Sequence, residues 1–312
     1  IGCKPWGCTV IVAVGMANYV AGSFMIPMTE EFGWTRTEFS ASRSIGQMVL
    51  ALTGFAIGAQ IDKHGGRRFI LIGSFVLSGS VFSMSLVQTL PQWLFGNGLM
   101  LTMGAALVGN LVINVTLGKW FVERRGRAVS IAAMGISLSG MILPIGATWL
   151  IDNYSWQEAW RVLGLGTLIV TFPAALVVRR APEDYGLYPD GKTKSQLAVG
   201  QGAAANIDFD NSLTRAEAIR SPSFYALVVA FGLFQISITV MLLQSIPLMT
   251  DAGYTRFVAS AMISLASVPA FLSKPIWGYL IDQYSPKKLA SLGAALTGTS
   301  ILVVVFSVWS RN

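Results

Sequence analysis

Residues 58–68 read GAQIDKHGGRR. Residues 44–61, which end within this stretch, carry no charged side chain. Residues 69–118, which follow it, carry none either. A helix needs roughly 20 apolar residues to cross the hydrocarbon core of a bilayer, which is about 30 Å thick. The upstream run therefore fits one membrane span, and the downstream run is long enough for two. We predict that residues 58–68 form a short, positively charged loop between two spans.

The same alternation of uncharged runs and charged connectors continues along the whole chain. Of the 312 residues, 53% are hydrophobic and only 12% are charged, against about 25% charged in soluble proteins. Together the uncharged runs predict an all-α membrane protein with about nine transmembrane helices, because a soluble core would not require so many. The runs are residues 5–29, 44–61, 69–118, 128–151, 162–178, 221–250, 257–281 (interrupted by Lys274) and 289–310.

Positive charge is unequally divided between the two sides of the membrane. With the N-terminus in the cytoplasm, five Lys and Arg lie on the opposite side and one lies within a span, which leaves 16 of the 22 on the cytoplasmic side. Cytoplasmic loops are the ones enriched in Lys and Arg. We therefore predict a cytoplasmic N-terminus, and we attribute the net charge of +7 to topology, not to nucleic-acid binding. The five residues opposite are Arg36, Arg43, Arg161, Arg256 and Arg311.

Residues 26–68 align without a gap with residues 246–288, at a constant offset of 220 positions. This offset pairs span 1 with span 7, so we predict two six-helix bundles in a parallel repeat. We assign the first bundle to residues 1–180, a cytoplasmic linker to 181–221, and an incomplete second bundle of three spans to 222–312. We expect the chain to be truncated at both ends. The identical positions include Gly33, Thr35, Arg36, Gly58 and Asp62, which recur as Gly253, Thr255, Arg256, Gly278 and Asp282.

The loop at residues 58–68 has the composition of a tight reversal between close-packed helices. Gly58 is small enough to let neighbouring helices approach closely, and Gly65 with Gly66 allows a sharp turn. Asp62 can cap a helix N-terminus or pair with a nearby Arg. The second repeat rebuilds the pattern with Gly278, Asp282, Lys287 and Lys288.

This pattern resembles the signature loop of the major facilitator superfamily. Residues 120–128 (WFVERRGRA) and 182–191 (PEDYGLYPDG) are further similar to the bacterial monocarboxylate and oxalate/formate-type transporters of that superfamily. The resemblance covers nearly the whole chain. It implies a major facilitator fold, secondary transport by alternating access, and a role in cytoplasmic gating for Gly58, Asp62, Lys63, Gly65, Arg67, Arg68, Arg124, Arg125, Gly278 and Asp282.

Lys274 is the strongest candidate for binding a substrate. A lysine at the middle of a membrane helix costs roughly 2.5–3.5 kcal/mol, so it should face a cavity or a partner. Lys274 lies eight residues before Asp282, about 12 Å along a helix, and its repeat counterpart is Gly54. Lys274 followed by Pro275 resembles the base–proline pair of the carboxylate transporters, which implies pairing with a substrate carboxylate. The alternative is a lysine that extends toward the cytoplasmic surface.

Other polar residues within the spans either line the pathway or form hydrogen bonds between helices. Arg43 attracts anions or anchors the membrane interface. Arg36 and Arg256 recur at matching positions, so we expect them to be structural. The remaining candidates for the pathway are Asn18, Tyr19, Gln47, Asn110, Asn114, Gln235 and Gln244.

Several functions are disfavoured by residues that the sequence lacks. No Asp or Glu lies inside a predicted span, and Ala270 stands where proton-coupled monocarboxylate transporters carry an acid. This leaves exchange, facilitated movement or coupling elsewhere. A membrane enzyme would need a His, Asp or Glu cluster, and an ATP-driven pump a phosphate-binding loop; neither is present. A transporter-like sensor stays open.

We therefore expect a monomeric carrier of a small organic anion, a mono- or dicarboxylate, in the bacterial cytoplasmic membrane. We expect no cofactor, no metal and no nucleic-acid partner, and we assign no coupling ion. The alternative is an exporter of an apolar or drug-like solute, for which Lys274 would be dispensable.

Overall fold

The computed structural model describes residues 15–121, 125–179 and 215–309. These ranges contain a short helix, Arg215–Arg220, and nine long helical segments but no strand. We number the long segments α1 (Met16–Val20 continued by Ala21–Phe32), α2 (Arg36–His64), α3 (Gly66–Ser83 continued by Met84–Leu86), α4 (Leu90–Trp120), α5 (Arg125–Asn153), α6 (Trp156–Val177), α7 (Pro222–Asp251), α8 (Arg256–Gln283) and α9 (Pro286–Trp309).

Six of these helices, α3 to α8, are long and apolar enough to cross a membrane. Helix α2 falls outside that set and carries polar residues such as Arg43 and Gln47 along its length. Helices α1 and α9 adjoin residues outside the described ranges. The prediction of an all-α membrane protein is confirmed. The division into two bundles stays a prediction, and residues 181–214 of the predicted linker lie outside the described residues.

The internal repeat is visible in the local backbone of the two copies. Gly33 after α1 and Gly253 after α7 adopt φ values of 69° and 92°, a region that L-residues with a side chain rarely enter. Two positions later, Thr35 and Thr255 cap α2 and α8 by accepting backbone N–H groups, which satisfies donors that the first helical turn leaves open. The same glycine-and-threonine turn therefore starts the second helix of each copy.

Helices α1 to α6 share one hydrophobic core. Its centre is aromatic: Phe24 of α1 stacks on Trp160 of α6 at 4.0 Å between ring centroids, and Phe39 of α2 stacks on Trp93 of α4 at 4.5 Å. The indole N–H of Trp93 donates to the backbone carbonyl of Phe39, so its polar atom is satisfied inside the core. A smaller core of Ile246, Ala259 and Ile263 joins α7 to α8.

Helices α5 and α8 run antiparallel and touch from end to end. At the predicted cytoplasmic end, Gly126 of α5 meets Asp282 of α8, and at the opposite end Asp152 meets Arg256. Small residues allow this approach, as expected for helix packing in lipid. The α5–α8 contact therefore joins the two predicted bundles along the full depth of the membrane.

Candidate transport pathway

Six of the residues predicted for the pathway gather around two adjoining cavities between α1, α2, α4 and α7. One cavity of about 350 Å³ is lined by Asn18, Arg43, Gln47 and Gln235. The other, of about 450 Å³, shares the last three of these and adds Gln244. Volumes of this size accommodate small ligands. The fold thus brings together residues that are up to 226 positions apart in sequence, from Asn18 to Gln244.

Arg43 is the charged residue of this group and lines both cavities. Its side chain is half-buried, and its Nη2 atom donates to Oδ1 of Asn18 at 3.1 Å. A guanidinium presents several donors in a fixed plane, which suits carboxylates. The contact orients Arg43 toward α1, and its side chain lies at the wall of both cavities.

Helix α4 is interrupted beside the same cavity. The helix ends at Val108, Gly109 adopts extended backbone angles (φ −77°, ψ −169°), and a new helix begins at Asn110. The first N–H groups of a helix lack intrahelical acceptors and carry a partial positive charge. Gly109 and Asn110 both line the smaller cavity, so the interruption adds a second, weaker source of positive potential there.

Tyr19 occupies a junction of α1, α5 and α8. Its ring and the hydroxyl of Ser267 in α8 both lie against Gly140 of α5. A Cβ atom added to Gly140 of α5 would lie 2.8 Å from the Tyr19 ring and 2.5 Å from Oγ of Ser267. Glycine is therefore required for this close approach, and Tyr19 joins the first predicted bundle to α8 near the middle of the membrane.

Lys274 lies at the α5–α8 interface. Its side chain is half-buried, and its Nζ atom donates to the backbone carbonyl of Ala133 in α5 at 2.5 Å. Ala133 lies eight residues from the start of α5, so the ammonium is at the depth that the sequence predicts for it, about 12 Å from the cytoplasmic end. In this structure the ammonium group therefore bridges the two predicted bundles.

Two predicted residues of α4 have different surroundings. Asn110 lines the smaller cavity. Asn114 is half-buried one turn further along, and it is not among the residues that line either of the two cavities. Asn114 stays a prediction without a cavity contact.

Asp282, in the second copy of the loop motif, caps the N-terminus of α5. Its two carboxylate oxygens accept the backbone N–H groups of Gly126 at 2.7 Å and Arg127 at 3.2 Å. The Arg127 side chain forms an ion pair with Asp282 at 3.4 Å and lies 4.8 Å from the ring centre of Tyr279. A carboxylate at a helix N-terminus is favoured by the helix dipole, so this contact closes the cytoplasmic end of the α5–α8 interface.

The first copy of the loop motif agrees with the prediction only in part, because residues 58–64 continue α2 and residues 66–68 begin α3, so Gly65 alone separates the two helices and the predicted loop over 58–68 is wrong. Gly65 adopts φ 79° between α2 and α3, as a tight reversal requires. The close helix contact expected at Gly58 is absent among the described residues, because a Cβ atom added there would meet nothing within 4 Å. Its counterpart Gly278 does lie against α5, 2.9 Å from the carbonyl of Gly126 when a Cβ is added.

The other residues predicted for gating stay predictions. The side chains of Arg67, Arg68 and Arg125 are exposed. Arg124 and the side chains of Asp62 and Lys63 lie outside the described residues.

Two ion pairs on the predicted outer side were not anticipated from the sequence. Arg36 of α2 binds both carboxylate oxygens of Asp251 in α7, at 2.6 and 2.7 Å. Its repeat counterpart, Arg256 of α8, binds Asp152 of α5 at 2.8 Å. The recurrence of the two arginines signalled a shared role, but nothing in the sequence indicated their acidic partners across the bundle interface.

Comparison with known proteins is consistent with this architecture. The family model described as Major Facilitator Superfamily matches residues 7–311. The chain is 24% identical to the oxalate:formate antiporter of Oxalobacter formigenes, over 85% of this chain and 59% of that protein. It is 27% identical to human monocarboxylate transporter 11, over 96% of this chain and 62% of that protein. It is 30% identical to the fujikurins efflux protein of Gibberella fujikuroi, over 40% of this chain and 27% of that protein.

The matched part is less than two thirds of the length of each of these relatives. The family match, in contrast, covers almost the whole of this chain and agrees with the helical membrane fold. The chain therefore belongs to the major facilitator superfamily of transporters.

Proposed function

We propose that the protein is a secondary transporter that moves a small organic anion, a mono- or dicarboxylate, across a membrane by alternating access. The observation that carries the proposal is the placement of Lys274. A cation lies within a span, at an interface that joins the two predicted bundles, while every Asp and Glu lies outside the predicted spans or at their ends. The fixed charge of the pathway is thus positive.

The contact made by Lys274 supports binding of a substrate carboxylate. The ammonium donates to a carbonyl of α5, which is a neutral acceptor, and a hydrogen bond between two charged groups is stronger than one to a neutral group. A carboxylate that reaches this interface would compete with Ala133 for the ammonium. Binding would then weaken a contact between the bundles, which couples the presence of substrate to the motion that alternating access needs.

Contacts at both ends of α5 and α8 fit the same mechanism. The pair Arg256–Asp152 links the outer ends, and Asp282 links the cytoplasmic ends. In alternating access one set must open while the other stays closed. Since no carboxylate lies inside a predicted span to carry a proton, we favour exchange or facilitated movement for this part of the chain.

The experiment that tests the proposal is uptake by the full-length protein in proteoliposomes. Labelled formate, lactate and oxalate are compared with their neutral amides, for wild type and Lys274→Gln. Arg220→Gln, which also removes one positive charge, from an exposed position just before α7, is the matched control. We expect carboxylate uptake that falls at least tenfold in Lys274→Gln alone. Uptake that is equal in wild type and Lys274→Gln would refute the role of Lys274.

Export of an apolar solute is the second candidate. It is supported by the similarity to a protein named as an efflux protein and by the largely apolar walls of the cavity beside α7, where Ile236, Val240 and Leu243 line one side. In that case Lys274→Gln would leave transport unchanged, and neutral apolar compounds would be carried in preference to carboxylates.

The membrane location of the protein follows from its family. It spans a lipid bilayer, and we propose a cytoplasmic N-terminus, a monomeric carrier and no role as an enzyme. The bacterial cytoplasmic membrane is our proposal from the sequence resemblance; the relatives named above come from a bacterium, a fungus and human cells, so they favour no single membrane.

A further inference from the structure

Two cations, one inside a predicted span and one at the outer end of another, have no counterpart in the other copy of the repeat. Lys274 corresponds to Gly54, and Arg43 corresponds to Ile263. Arg36 and Arg256, which both copies keep, form ion pairs between the bundles. A scaffold role explains the shared cations but not the unshared ones. The proposed function accounts for Lys274 and leaves Arg43 without a role.

Arg43 and Lys274 lie at different depths in the membrane. Arg43 follows Arg36, the first residue of α2, by seven residues, or about 10 Å along the helix. Lys274 follows Arg256, the first residue of α8, by 18 residues, or about 27 Å. The two arginines mark the same level because they are repeat counterparts at the outer ends of their helices. The two unshared cations are therefore separated by about 16 Å in depth, too far for one small carboxylate to touch both.

The surroundings of Arg43 are those of a polar binding site. Amide side chains face the cavity from three helices: Asn18 from α1, Gln47 from α2 and Gln235 from α7. Amides supply hydrogen-bond donors without adding a competing negative charge. The Oγ atom of Ser40, which lines the adjoining cavity, is buried and has no hydrogen-bond partner among the described residues.

A buried hydroxyl without a hydrogen-bond partner costs free energy unless a ligand or water supplies the missing hydrogen bond. The interruption of α4 at Gly109 lines the smaller cavity, and the start of the helix that follows it carries a partial positive charge. The cation lines both cavities, the amide donors and the helix start line the smaller cavity, and the unsatisfied hydroxyl lines the adjoining one.

We propose that Arg43, with Asn18, Gln47 and Gln235, forms a carboxylate-binding site in the outer half of the membrane, separate from Lys274. The choice of a carboxylate as ligand rests on the proposed function, whereas the site rests on the geometry around Arg43. The guanidinium would bind the carboxylate through two parallel N–H···O bonds, and the amides would hold the rest of a small anion.

The test uses the purified full-length protein and equilibrium binding of oxalate and lactate, with oxamide and lactamide as neutral matches. Lys274→Gln serves as the background, so that only the outer site is measured. We expect this protein to bind the carboxylates at least tenfold more tightly than the amides. Adding Arg43→Gln should weaken carboxylate binding tenfold or more, and Arg43→Lys should weaken it less, because lysine keeps the charge but loses the paired hydrogen bonds.

Arg161→Gln in the same background is the matched control. Arg161 lies on the same predicted side and pairs with Glu158 within its own helix, so its loss should leave binding unchanged. Gln235→Leu leaves Arg43 in place and tests the site even if the arginine variants misfold. We expect it to weaken carboxylate binding severalfold without a change in melting temperature. Carboxylate binding within twofold of the background in Arg43→Gln, or no binding at all by Lys274→Gln when wild type binds, would overturn the outer site.

The two proposals fail in different ways. If wild type neither binds nor transports any carboxylate, both are wrong. If transport depends on Lys274 and carboxylate binding is indifferent to Arg43, only the outer site is wrong.

Discussion

Individual glycines at the α5–α8 interface set how closely the two helices approach. A Cβ atom added to Gly126 would lie 2.5 Å from Oδ1 of Asp282 and 2.8 Å from the carbonyl of Gly278. One added to Gly278 would contact Ser130 and lie 2.9 Å from the carbonyl of Gly126. Backbone atoms cannot move aside as a flexible side chain can, so these positions tolerate no larger residue without separation of the helices.

Gly278→Ala is therefore predicted to loosen the cytoplasmic end of the interface. Overpacking of this kind costs about 1–3 kcal/mol, and the contact of Asp282 with the start of α5 would lengthen with it. We expect a lower apparent melting temperature and a transport rate reduced severalfold, measured on purified protein and in proteoliposomes.

Gly146→Ala is the matched control for this substitution. Gly146 lies in α5, and a Cβ atom added there would meet nothing within 4 Å. Both its stability and its transport should equal those of wild type. If Gly146→Ala loses as much stability and transport as Gly278→Ala, a glycine away from the interface is equally sensitive to substitution, and the packing argument is wrong.

Among the helices, α4 departs furthest from what its sequence predicts. Residues 69–118 predict two spans, and the second of them, α4, begins at Leu90, immediately before Pro91. The interruption at Gly109 has no such signal, because a glycine within an apolar run is also compatible with a straight helix. Only the packing around it selects the extended conformation.

The same limit applies to the candidate site. The sequence identified Arg43, Asn18 and Gln235 as polar residues in apolar helices, which is a local property. It did not indicate that they share a cavity, because that depends on how α1, α2 and α7 are rotated about their axes. For Lys274, the depth along α8 followed from a rise of 1.5 Å per residue, whereas its partner, the carbonyl of Ala133, required the register of α5 against α8.

Gly109→Ala tests whether the interruption of α4 shapes the smaller cavity, which Asn18 and Arg43 line. A Cβ atom at this position would lie 2.5 Å from the carbonyl oxygen of Ala105 in the same helix, so the backbone must shift at a point that lines the cavity. We expect a melting temperature lowered by several degrees and Arg43-dependent carboxylate binding weakened severalfold.

Gly79→Ala in α3, where an added Cβ meets nothing within 4 Å, is the comparison for this variant and should bind as wild type does. Unchanged affinity in Gly109→Ala would mean that the interruption has no part in the site.

At the scale of the whole molecule, each copy of the repeat contributes one arginine to an ion pair on the predicted outer side. Arg36 and Arg256 occupy equivalent positions at the outer ends of α2 and α8, and each binds an acid on a helix of the other predicted bundle. Both pairs are partly exposed to solvent, so each contributes only modestly. If the outer side opens by separation of the predicted bundles, as the proposed mechanism requires, both pairs have to break together.

Neutralising both arginines is therefore predicted to favour the outward-open state. The probe is a cysteine placed at Gln244, which lines the larger cavity, in a protein whose Cys3 and Cys8 are replaced by serine. In Arg36→Gln/Arg256→Gln this cysteine should react severalfold faster with a membrane-impermeant thiol reagent applied from outside. Each single variant should give a smaller increase, of roughly threefold or less, as expected for a partly exposed pair. High salt should reduce the difference from wild type, because screening weakens the native pairs.

Exchange of charges separates a specific pair from a general effect of charge. Arg36→Asp combined with Asp251→Arg restores opposite charges across the interface and should return labelling toward the wild-type rate. Arg161→Gln, whose partner Glu158 lies in the same helix, should leave labelling unchanged. If the exchanged pair labels as fast as Arg36→Gln, or if Arg161→Gln has the same effect as Arg36→Gln, the outer ion pairs do not hold the bundles together. Restoration by exchange would establish that the Arg36–Asp251 contact contributes to the balance between the closed and open outer side.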